Sequence, residues 1–554
     1  MLTRALLYFH TVRFLRPAQI FGSLWYWLYS PVATDRPAPS LRPVISSWVS
    51  SPLQKPAMHA SDKIFILNEE GNLSDRKCWN DPDKEKLWLY TLHYFNDLNA
   101  ADASARADWH RVLIQRWIAE NPPTEGNGWE PYPLSLRIVN WIKWARQGNE
   151  LEPVWLNSLG MQVRYLRKRL EYHLLGNHLF ANAKALVFAG LYFSGDEADE
   201  WLAKGVSILV KEIPEQVLDD SGHFELSTMY HSIILEDLLD LINMALAYEG
   251  HDALTYEVDS WIQTVQKMGT WLKIMSHPDG EISFFNDSTH EISPNLSELE
   301  AYARRLGVEE IAGIKNIKDR WSLDNLPASG YIRLEKEQAV IFLDVAKIGT
   351  DYLPGHAHAD TLSFELSLFG QRVVVNSGIS CYGNSDERMR QRGTAAHSTV
   401  EINGENSSEV WSGFRVARRA KPFGLNINET ENAIKVSCSH DGYRRLSGKP
   451  VHNRVWKVTD EKLIVTDHIK GQFNRAVARF YLHPDVTVKY NREEELGTLE
   501  LEDGKIVDWC VSGGVVNILN STYHPGFGLN IPNNMIEVVF NGPEVMFSMN
   551  WEQK

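Results

Sequence analysis

The feature that most constrains the fold of this chain is a change in hydrophobic period near residue 325. Before it, stretches such as YHSIILEDLLDLINMALAY (230–248) place apolar residues three and four positions apart, which is the spacing of one buried helix face. After it, TLSFELSL (361–368) alternates apolar and polar residues, which is the period of a half-buried strand. The sequence therefore predicts a helical part followed by a β part.

Domain boundaries follow from this change and from the length. A chain of 554 residues exceeds what one hydrophobic core usually serves. Helical segments of similar length joined by short loops are typical of stacked helical hairpins, in which each hairpin buries its apolar face against a neighbour. We predict an N-terminal docking segment over residues 1–59, a helical domain over 60–325 and a β-sandwich over 326–554.

Charge and cysteine content exclude several classes of protein. A formal charge of −15 argues against a nucleic-acid-binding protein, which needs a basic face. The four cysteines are widely separated and form no CxxC pair, so they indicate neither a disulfide framework nor a thiolate zinc site. An anionic ligand is still compatible with this composition if basic residues cluster locally.

The first 30 residues are rich in apolar side chains, but polar residues interrupt them. His10, Arg13, Arg16 and Gln19 fall before 18 apolar residues accumulate, so no transmembrane segment is predicted. The apolar run after Arg4 is too short for a signal peptide, and no cleavage site follows it. We interpret the segment as an amphipathic docking helix, with membrane-surface association as the alternative. A cytoplasmic location is the default expectation, and a periplasmic one is the alternative.

Two stretches of the helical part place polar, titratable groups where the helical pattern does not require them. HLLGNHLFANAKAL holds Asn177 and His178 at the start of an apolar helix, and the structural alternative is that Asn177 caps that helix. GHFELSTMYHSIILEDLL holds Glu225 and Tyr230 just before another helix. A buried tyrosine at a helix start is usually a packing residue with a satisfied hydroxyl.

Two further stretches lie in the β part. In HAHAD (356–360), His356 and His358 point to the same face if the segment is extended, because side chains repeat every two residues. Two adjacent imidazoles suit a metal site or a charged-ligand site better than a dry core, where each needs its own partner. RMRQRGTAAHSTVEING places three arginines before His397 at a strand entrance.

Together these motifs resemble the heparinase II/III-type polysaccharide lyases, whose relatives include heparin/heparan lyases and oligo-alginate lyases. The resemblance extends from LWLYTLHYFNDL and WEPYPLSLRIVNWIKW, through GNHLFANAKALVFAGLYF and GHFELSTMYHSIILEDLLDL, to GHAHADTLSFEL and TAAHSTVEING. It implies a multidomain α+β fold, in which an incomplete (α/α) toroid of paired helices precedes an antiparallel β-sandwich. It also implies β-elimination beside a uronic acid, in the cleft between the two parts.

The resemblance assigns catalytic roles to four residues. Asn177 and His178 match the helix-start pair that contacts the uronate carboxylate. Tyr230 matches the catalytic tyrosine, and His356 matches the histidine that completes the site from the β part. An unperturbed tyrosine pKa of about 10 makes a poor base at neutral pH, so nearby positive charge is expected to lower it.

The expected partner is an anionic, uronate-containing polysaccharide or oligosaccharide, and the elimination requires no cofactor. The residues predicted to bind this substrate are Glu225, Arg390, Arg392 and Arg415.

A structural zinc site is a further implication of the resemblance. His358 and His397 match two of its ligands, whereas Asn376 stands where an acidic ligand is expected. A neutral amide is a poor Zn²⁺ ligand compared with histidine, cysteine or carboxylate. The substitution at Asn376 therefore argues against zinc occupancy.

Two other functions are compatible with the sequence. A glycoside hydrolase on the same helical scaffold would use a carboxylate pair such as Glu225 and Asp360, with the two groups about 5–10 Å apart across a sugar site. A catalytically silent glycan-binding protein of polysaccharide biosynthesis is the second alternative, because polymeric uronates usually lie outside the cytoplasm.

Overall fold

The computed structural model describes residues 2–248, 252–308, 311 and 320–552. Within them, helices dominate before residue 306 and antiparallel sheets dominate after residue 321, which gives a multidomain α+β fold. The helices are α1 (Leu2–Val12), α2 (Pro17–Leu28), α3 (Lys86–Tyr94), α4 (Ala107–Glu120), α5 (Pro131–Arg146), α6 (Pro153–Lys168), α7 (Gly176–Tyr192), α8 (Asp196–Gln216), α9 (Thr228–Leu246), α10 (Asp252–Ile274), α11 (Leu296–Arg305) and α12 (Asp386–Arg392).

Helix α7 lies at the centre of the helical part. It packs against α5, α8 and α9, and every one of its residues except His178 is buried. A helix that is apolar on all sides is typical of one surrounded by other helices. Its one buried cation, Lys184, donates to Asp237 and Asp240 of α9, and these pairs join the two helices whose first turns carry the candidate site.

The strands form antiparallel sheets, one of which precedes α3 in the chain while the others follow α11. A small sheet before α3 contains β1 (Met58–Ala60), β2 (Lys63–Ile66) and β3 (Glu69–Asn72). The sheet that follows the helices runs in chain order through β4 (Ser322–Leu326), β5 (Tyr331–Lys336), β6 (Ala339–Asp344), β7 (Phe364–Leu368) and β8 (Gln371–Val374). The later strands are β9 (Val400–Ile402), β10 (Val410–Trp411), β11 (Arg415–Val416), β12 (Pro422–Thr430), β13 (Ala433–His440), β14 (Val451–Thr459), β15 (Lys462–Lys470), β16 (Ala476–Tyr481), β17 (Thr487–Asn491), β18 (Leu496–Glu500), β19 (Ile506–Ser512), β20 (Gly514–Tyr523), β21 (Ile531–Phe540) and β22 (Glu544–Asn550).

Two of the later sheets pack face to face. One has the strand order β12-β13-β14-β15-β22-β19-β18-β17, and the other has the order β20-β21-β16-β9. Phe480 of β16 stacks on Phe547 of β22 with ring centroids 4.0 Å apart. Trp456 and Trp509 are fully buried in the same apolar cluster, so the inner faces of these sheets share one core.

The predicted boundary at residues 325/326 falls inside β4. This strand pairs with β5 along its whole length, so it belongs to the sheet and cannot be divided between two domains. The change from helix to strand lies between Arg305 and Ser322.

Strand β7 is buried on both faces, whereas its alternating pattern predicts a half-buried strand. Its polar residues Glu365 and Ser367 are buried, and both are hydrogen-bonded to His277, at 2.8 Å and 2.7 Å. Glu365 also accepts the backbone N–H of Phe284. The polar face is covered because β7 lies against the segment that follows α10, and this contact joins the sheet to the helical part.

Helices α1 and α2 precede both parts and contact each of them. On the side of the β part, Trp411 donates through Nε1 to Thr11 of α1 at 3.1 Å, and Gln19 of α2 donates to the backbone carbonyl of Tyr352. On the side of the helical part, the ring of Tyr26 in α2 lies 4.1 Å from that of His173. In the part of the chain that the structure describes, no helix combines the length and apolar character that a membrane crossing requires.

Candidate active site

Tyr230 lies in the first turn of α9, and a helix cap fixes its position. Ser227 is the N-cap residue, and its Oγ accepts the backbone N–H of Tyr230 at 3.1 Å. The same hydroxyl donates to the backbone carbonyl of Asp287 at 2.6 Å. One serine thereby joins the start of α9 to the segment after α10.

Asn177 and His178 lie in the first turn of α7, beside Glu225. The N-cap residue of α7 is Leu175, so Asn177 does not cap the helix as the structural alternative required. Gly176 has a φ of +54°, and a Cβ at this position would stand 3.0 Å from Glu225 Oε1. This left-handed glycine lets the backbone approach the carboxyl group closely, which places both side chains next to it.

His178 is half-buried between an aromatic ring and a carboxylate. Its ring lies 4.4 Å from the ring of Tyr132, and its Nδ1 is 3.1 Å from Glu171 Oε1. Burial acts to lower the pKa of His178, but the charge of Glu171 and this hydrogen bond outweigh burial and raise the pKa above its usual value. The arrangement favours a positively charged imidazolium in the site.

His356 of the β part and Tyr230 of the helical part are in direct contact. Their ring centroids are 4.0 Å apart, and the hydroxyl of Tyr230 is hydrogen-bonded to that of Tyr382 at 3.0 Å. The side chain of His356 is 15% exposed, whereas Tyr230 is buried. The structure therefore brings together two of the four predicted catalytic residues, which lie 126 positions apart in the sequence.

Asp287 binds both histidines of the HAHAD motif. Its Oδ2 accepts from His356 Nδ1 and its Oδ1 accepts from His358 Nε2, both at 2.8 Å, while Arg388 donates to both oxygens. Burial acts to raise the pKa of Asp287, but the charge of Arg388 and these hydrogen bonds hold it well below its usual value. Because an ionised carboxylate only accepts, both imidazoles donate to it. The other ring nitrogen of His356, Nε2, lies 3.7 Å from Glu225 Oε2.

Glu225 is a buried carboxyl group whose two oxygens accept no side-chain hydrogen bond among the described residues. Burial raises its pKa, although the charges of His356 and His178 and the nearby backbone N–H of Asn177 oppose this effect. A buried polar group with so few partners costs free energy, so a ligand group could complete its hydrogen bonding. That Glu225 contacts substrate stays a prediction.

The expected lowering of the tyrosine pKa by positive charge does not occur. Burial, followed by the neighbouring Tyr382 and Tyr132, raises the pKa of Tyr230 well above its usual value. The nearest candidate cation, Arg388, is engaged by Asp287 and lies over the ring of Tyr382 at 4.9 Å. Tyr230 is therefore a protonated group that can donate.

Arg392, predicted to bind substrate, lies in the interior of the protein. Its side chain is fully buried, and its guanidinium donates to the backbone carbonyls of Ala357 and Gly413 at 2.9 Å and 2.6 Å. Ala357 lies between the two histidines of the motif. Arg392 thus fixes the backbone between His356 and His358.

The other two predicted arginines lie apart from Tyr230 and His356. Arg390 donates to Glu387 one turn earlier in its own helix and to Thr522. Arg415 is exposed and lies 5.0 Å from the ring of Trp411. Within the described ranges, no contact joins either arginine to the tyrosine or the histidine.

A second, closed cluster lies behind the catalytic candidates. His358, Asp360 and His397 are buried, and each offers a ligand atom within 4.8 Å of the others. His358 donates through Nε2 to Asp287, so its Nδ1 keeps a lone pair, and this atom has no partner among the described residues. Burial lowers the pKa of His358 to about 4, which keeps the imidazole neutral.

Asn376 acts on this cluster differently from the prediction. Its Oδ1 is 3.2 Å from His397 Nδ1 and accepts that N–H, which leaves the lone pair of His397 Nε2 without a partner in the described structure. The amide therefore orients a histidine instead of standing as the third ligand candidate. Asp360 supplies the acidic group that the sequence seemed to lack.

The carboxylate pair of the hydrolase alternative is not present in the cleft. Asp360 is 3% exposed, and its Oδ2 accepts the backbone N–H of Asn286 in the interior. Asp360 belongs to the cluster of His358 and His397, whereas Glu225 lies 3.7 Å from His356. The two carboxyl groups therefore contact different histidines.

Sequence reasoning missed three residues that shape the site, namely Tyr132, Asp287 and Tyr382. Asp287 lies in FFNDSTHEI, and Tyr382 lies in ISCYGNSDER, where nothing in a single sequence distinguishes them from ordinary loop residues. Tyr132 could have been found from the sequence, because it belongs to WEPYPLSLRIVNWIKW, one of the motifs that carry the family resemblance.

Two family models match the chain in succession. Residues 91–305 match the model described as Heparinase II/III N-terminus, and residues 318–552 match the model described as Heparinase II/III-like, C-terminal. A heparin-sulfate lyase of Bacteroides stercoris is 25% identical over 478 residues, which covers 78% of this chain and 69% of that protein.

Solved structures of similar proteins share the fold. A crystal structure of heparinase III superposes with a TM-score of 0.69 at 18% identity, covering 85% of this chain and 79% of that one. The heparan sulfate lyase HepC from Pedobacter heparinus gives a TM-score of 0.57 at 18% identity, covering 90% and 84%.

Proposed function

The chain belongs to the heparinase II/III family of polysaccharide lyases, and we propose that it cleaves a uronic-acid-containing glycan by β-elimination between its helical part and its sheets. The observation that carries the proposal is the contact of Tyr230 with His356, which come from the two parts and lie with their rings 4.0 Å apart. In our proposal the helices form an incomplete (α/α) toroid and the sheets form a β-sandwich, with the cleft between them.

β-Elimination makes two demands on the protein. A base removes the proton on the carbon that carries the carboxylate, and an acid protonates the glycosidic oxygen as its bond to the ring breaks and a carbon–carbon double bond forms. The proton is weakly acidic while the carboxylate keeps its full charge. Hydrogen-bond donors and positive charge on the carboxylate therefore stabilise the enolate-like species that develops.

The site offers a separate group for each proton transfer. We assign His356 Nε2 as the base, because Asp287 accepts the Nδ1–H of His356, so that Nε2 carries the lone pair in the neutral imidazole. We assign Tyr230 as the acid, because burial keeps its hydroxyl protonated.

The uronate carboxylate would bind at the start of α7. His178 can supply positive charge there, and Asn177 lies beside it in the same helical turn. Burial raises the pKa of Glu225, and in its protonated form this carboxyl group could donate a hydrogen bond to the uronate carboxylate.

A structural zinc ion fits the closed cluster. His358 Nδ1 and His397 Nε2 each present an unpartnered lone pair, and Asp360 provides a carboxylate, which is a donor set that Zn²⁺ binds. Asp287 and Asn376 hold the far nitrogens of the two imidazoles, as partners of metal-bound histidines usually do. A bound ion would tie the histidine motif to the strand entrance at His397.

Elemental analysis of purified protein tests this cluster. We expect about one zinc per chain in the wild type and loss of most of it in Asp360→Asn, with a lower melting temperature after chelation. Asn376→Asp is the matched variant, and it should retain the metal. A wild type that takes up no zinc from zinc-supplemented buffer would show that the histidines form only a hydrogen-bonded structural cluster.

A panel of uronate polymers tests the activity. Heparan sulfate, alginate, hyaluronan and bacterial capsular uronates are incubated with the protein, and the new conjugated double bond is read by its near-ultraviolet absorbance. We expect absorbance from at least one polymer and none with His356→Ala. New reducing ends without absorbance would indicate a hydrolase, and no product from any polymer would favour the silent glycan-binding alternative.

A further inference from the structure

Helix α2 presents its apolar face to solvent. Phe21, Trp25, Trp27 and Leu28 are 71%, 62%, 79% and 63% exposed, and Ile20 and Leu24 are exposed beside them. On a helical wheel of 100° per residue these six side chains cover a continuous stripe. Single exposed apolar residues are ordinary, but a continuous aromatic stripe is not.

The opposite, mostly polar face holds α2 against the protein. Gln19, Gly22 and Tyr26 follow the i, i+3, i+7 spacing and face inward. Gln19 donates to the backbone carbonyl of Tyr352 at 3.1 Å, and a Cβ at Gly22 would stand 3.1 Å from the backbone nitrogen of His173. The docking segment that we predicted therefore docks through its polar face, the reverse of what an amphipathic docking helix does.

Three contacts at Tyr26 hold α2 in this orientation. The ring of Tyr26 lies 4.1 Å from that of His173, and Arg169 lies 3.4 Å from the Tyr26 ring centroid. Arg169 also donates to the backbone carbonyl of Tyr26 at 2.6 Å, two residues before the helix ends. Together with the hydrogen bond of Gln19, these contacts keep the apolar stripe directed away from the protein.

Exposed apolar side chains also occur in the segments before and after α2. In α1, Phe9 is 61% exposed and Val12 is 47% exposed, and beyond α2 Val32 is 80% exposed. Helix α1 is itself anchored, because Tyr8 packs edge-on against Trp411 with ring centroids 4.9 Å apart. We call residues 4–32 the N-terminal apron.

The charges around the apron select the occupant. Residues 1–34 contain Arg4, Arg13 and Arg16 and no aspartate or glutamate, in a chain whose formal charge is −15. Arg16 is paired with Glu215, but Arg4 and Arg13 are exposed. At the other end of α2, Lys168 donates to Thr34 and is exposed next to Arg167. Arg4, Arg13, Arg167 and Lys168 are thus exposed cations in the segments next to α2, against Asp35 and the Glu215 that pairs with Arg16, and this excess of positive charge suits an anionic bilayer.

We propose that the apron seats the protein on the surface of an anionic lipid bilayer, with α2 lying in the interface and its aromatic stripe inserted among the lipids. Tryptophan and tyrosine favour the membrane–water interface, because their apolar rings contact lipid while their N–H or O–H groups contact water. A helix of 12 residues is far too short to span the bilayer, so the attachment is peripheral. The proposal is independent of the glycan chemistry.

Vesicle co-sedimentation of the full-length protein tests the proposal. The vesicles are phosphatidylcholine alone or phosphatidylcholine with about 30% phosphatidylglycerol, at low and high salt. We expect binding to the anionic vesicles, weakened by salt, and a loss of at least about tenfold in partitioning for the variant Phe21→Ser, Trp25→Ser, Trp27→Ser. The control variant Val154→Ser, Tyr256→Ser, Val515→Ser removes exposed apolar side chains elsewhere and should bind like the wild type.

Light scattering on the same proteins decides between a bilayer and a second copy of the chain. A wild type that dimerises, becomes monomeric in the apron variant and ignores both kinds of vesicle would overturn the proposal. Equal binding of the apron and control variants to anionic vesicles would also overturn it. Circular dichroism of each variant confirms that a loss of binding does not reflect a loss of folding.

Discussion

His356 and His358 stand two positions apart and donate to the same carboxylate, yet they belong to different environments. The side chain of His356 is 15% exposed and lies against Tyr230, whereas that of His358 is 1% exposed and lies beside His397. One imidazole can meet substrate, and the other is sealed in a closed cluster. Asp287, which the sequence did not reveal, therefore links the candidate site at His356 to the closed cluster at His358.

Replacing Asp287 with alanine should have the largest effect, because it acts on both environments. Arg388 would be left buried without its partner, which costs about 3–5 kcal/mol of unfolding free energy. His356 would lose the acceptor that fixes its Nδ1–H, so elimination should also disappear. Denaturant unfolding and the double-bond assay measure the two losses.

Asp279→Ala is the matched control for this prediction. Asp279 also pairs with a buried arginine, Arg372, in the segment after α10, but it contacts neither histidine. We expect it to lower stability while the folded enzyme keeps its turnover. If Asp287→Ala matched Asp279→Ala in activity, the link between the two environments would be refuted.

Tyr230→Phe should affect only the open environment. Removing the hydroxyl leaves the ring in place, so stability should change little while turnover falls by the roughly 10²–10⁴-fold typical of lost acid–base catalysis. Tyr382→Phe removes the hydrogen-bond partner of the same hydroxyl and should cost less. Near-normal turnover in the Tyr230 variant would contradict its assignment as the acid.

Much of this arrangement could be predicted from the sequence, and the exceptions have physical reasons. Hydrophobic periods indicate which segments are helices and strands, and the motifs carry Tyr230 and His356. Burial by another part of the chain leaves no local signal, so β7 gave a half-buried pattern although Glu365 and Ser367 bind His277. For the same reason, the sequence could not show that Arg392 is enclosed.

The closed cluster of His358, Asp360 and His397 shows the same limit of prediction from sequence. Matching Asn376 to an acidic ligand suggested that the cluster lacked a carboxylate. The carboxylate comes instead from Asp360, inside the HAHAD motif, because the segment is a loop and not a strand. Distances across a loop cannot be read from the spacing of residues alone.

The two histidines of the motif should respond in opposite ways to substitution. His356→Ala should abolish elimination and lower the melting temperature less than His358→Ala, because water can reach the group that the partly exposed His356 leaves behind. His358→Ala should lower the unfolding free energy by about 1–3 kcal/mol, because it removes a fully buried donor of Asp287 and opens the closed cluster beside His397. Thermal unfolding and initial rates on the same preparations test the contrast, which fails if both variants lose only activity or only stability.

The smallest expected effect concerns pH, and it separates His178 from His358. The pKa of His178 is raised, so its positive charge persists above the usual histidine range. This charge is lost as the pH rises through the raised pKa. His358, with a pKa of about 4, stays neutral throughout. A bond to the uronate that loses this charge weakens by about 1 kcal/mol, or roughly fivefold in KM. KM of the wild type should therefore rise with pH above neutrality, and His178→Gln should show the higher KM at every pH with no such rise. A KM that falls with pH, or the same rise in His178→Gln, would remove His178 from the carboxylate site and leave Asn177 and Glu225 to hold the substrate.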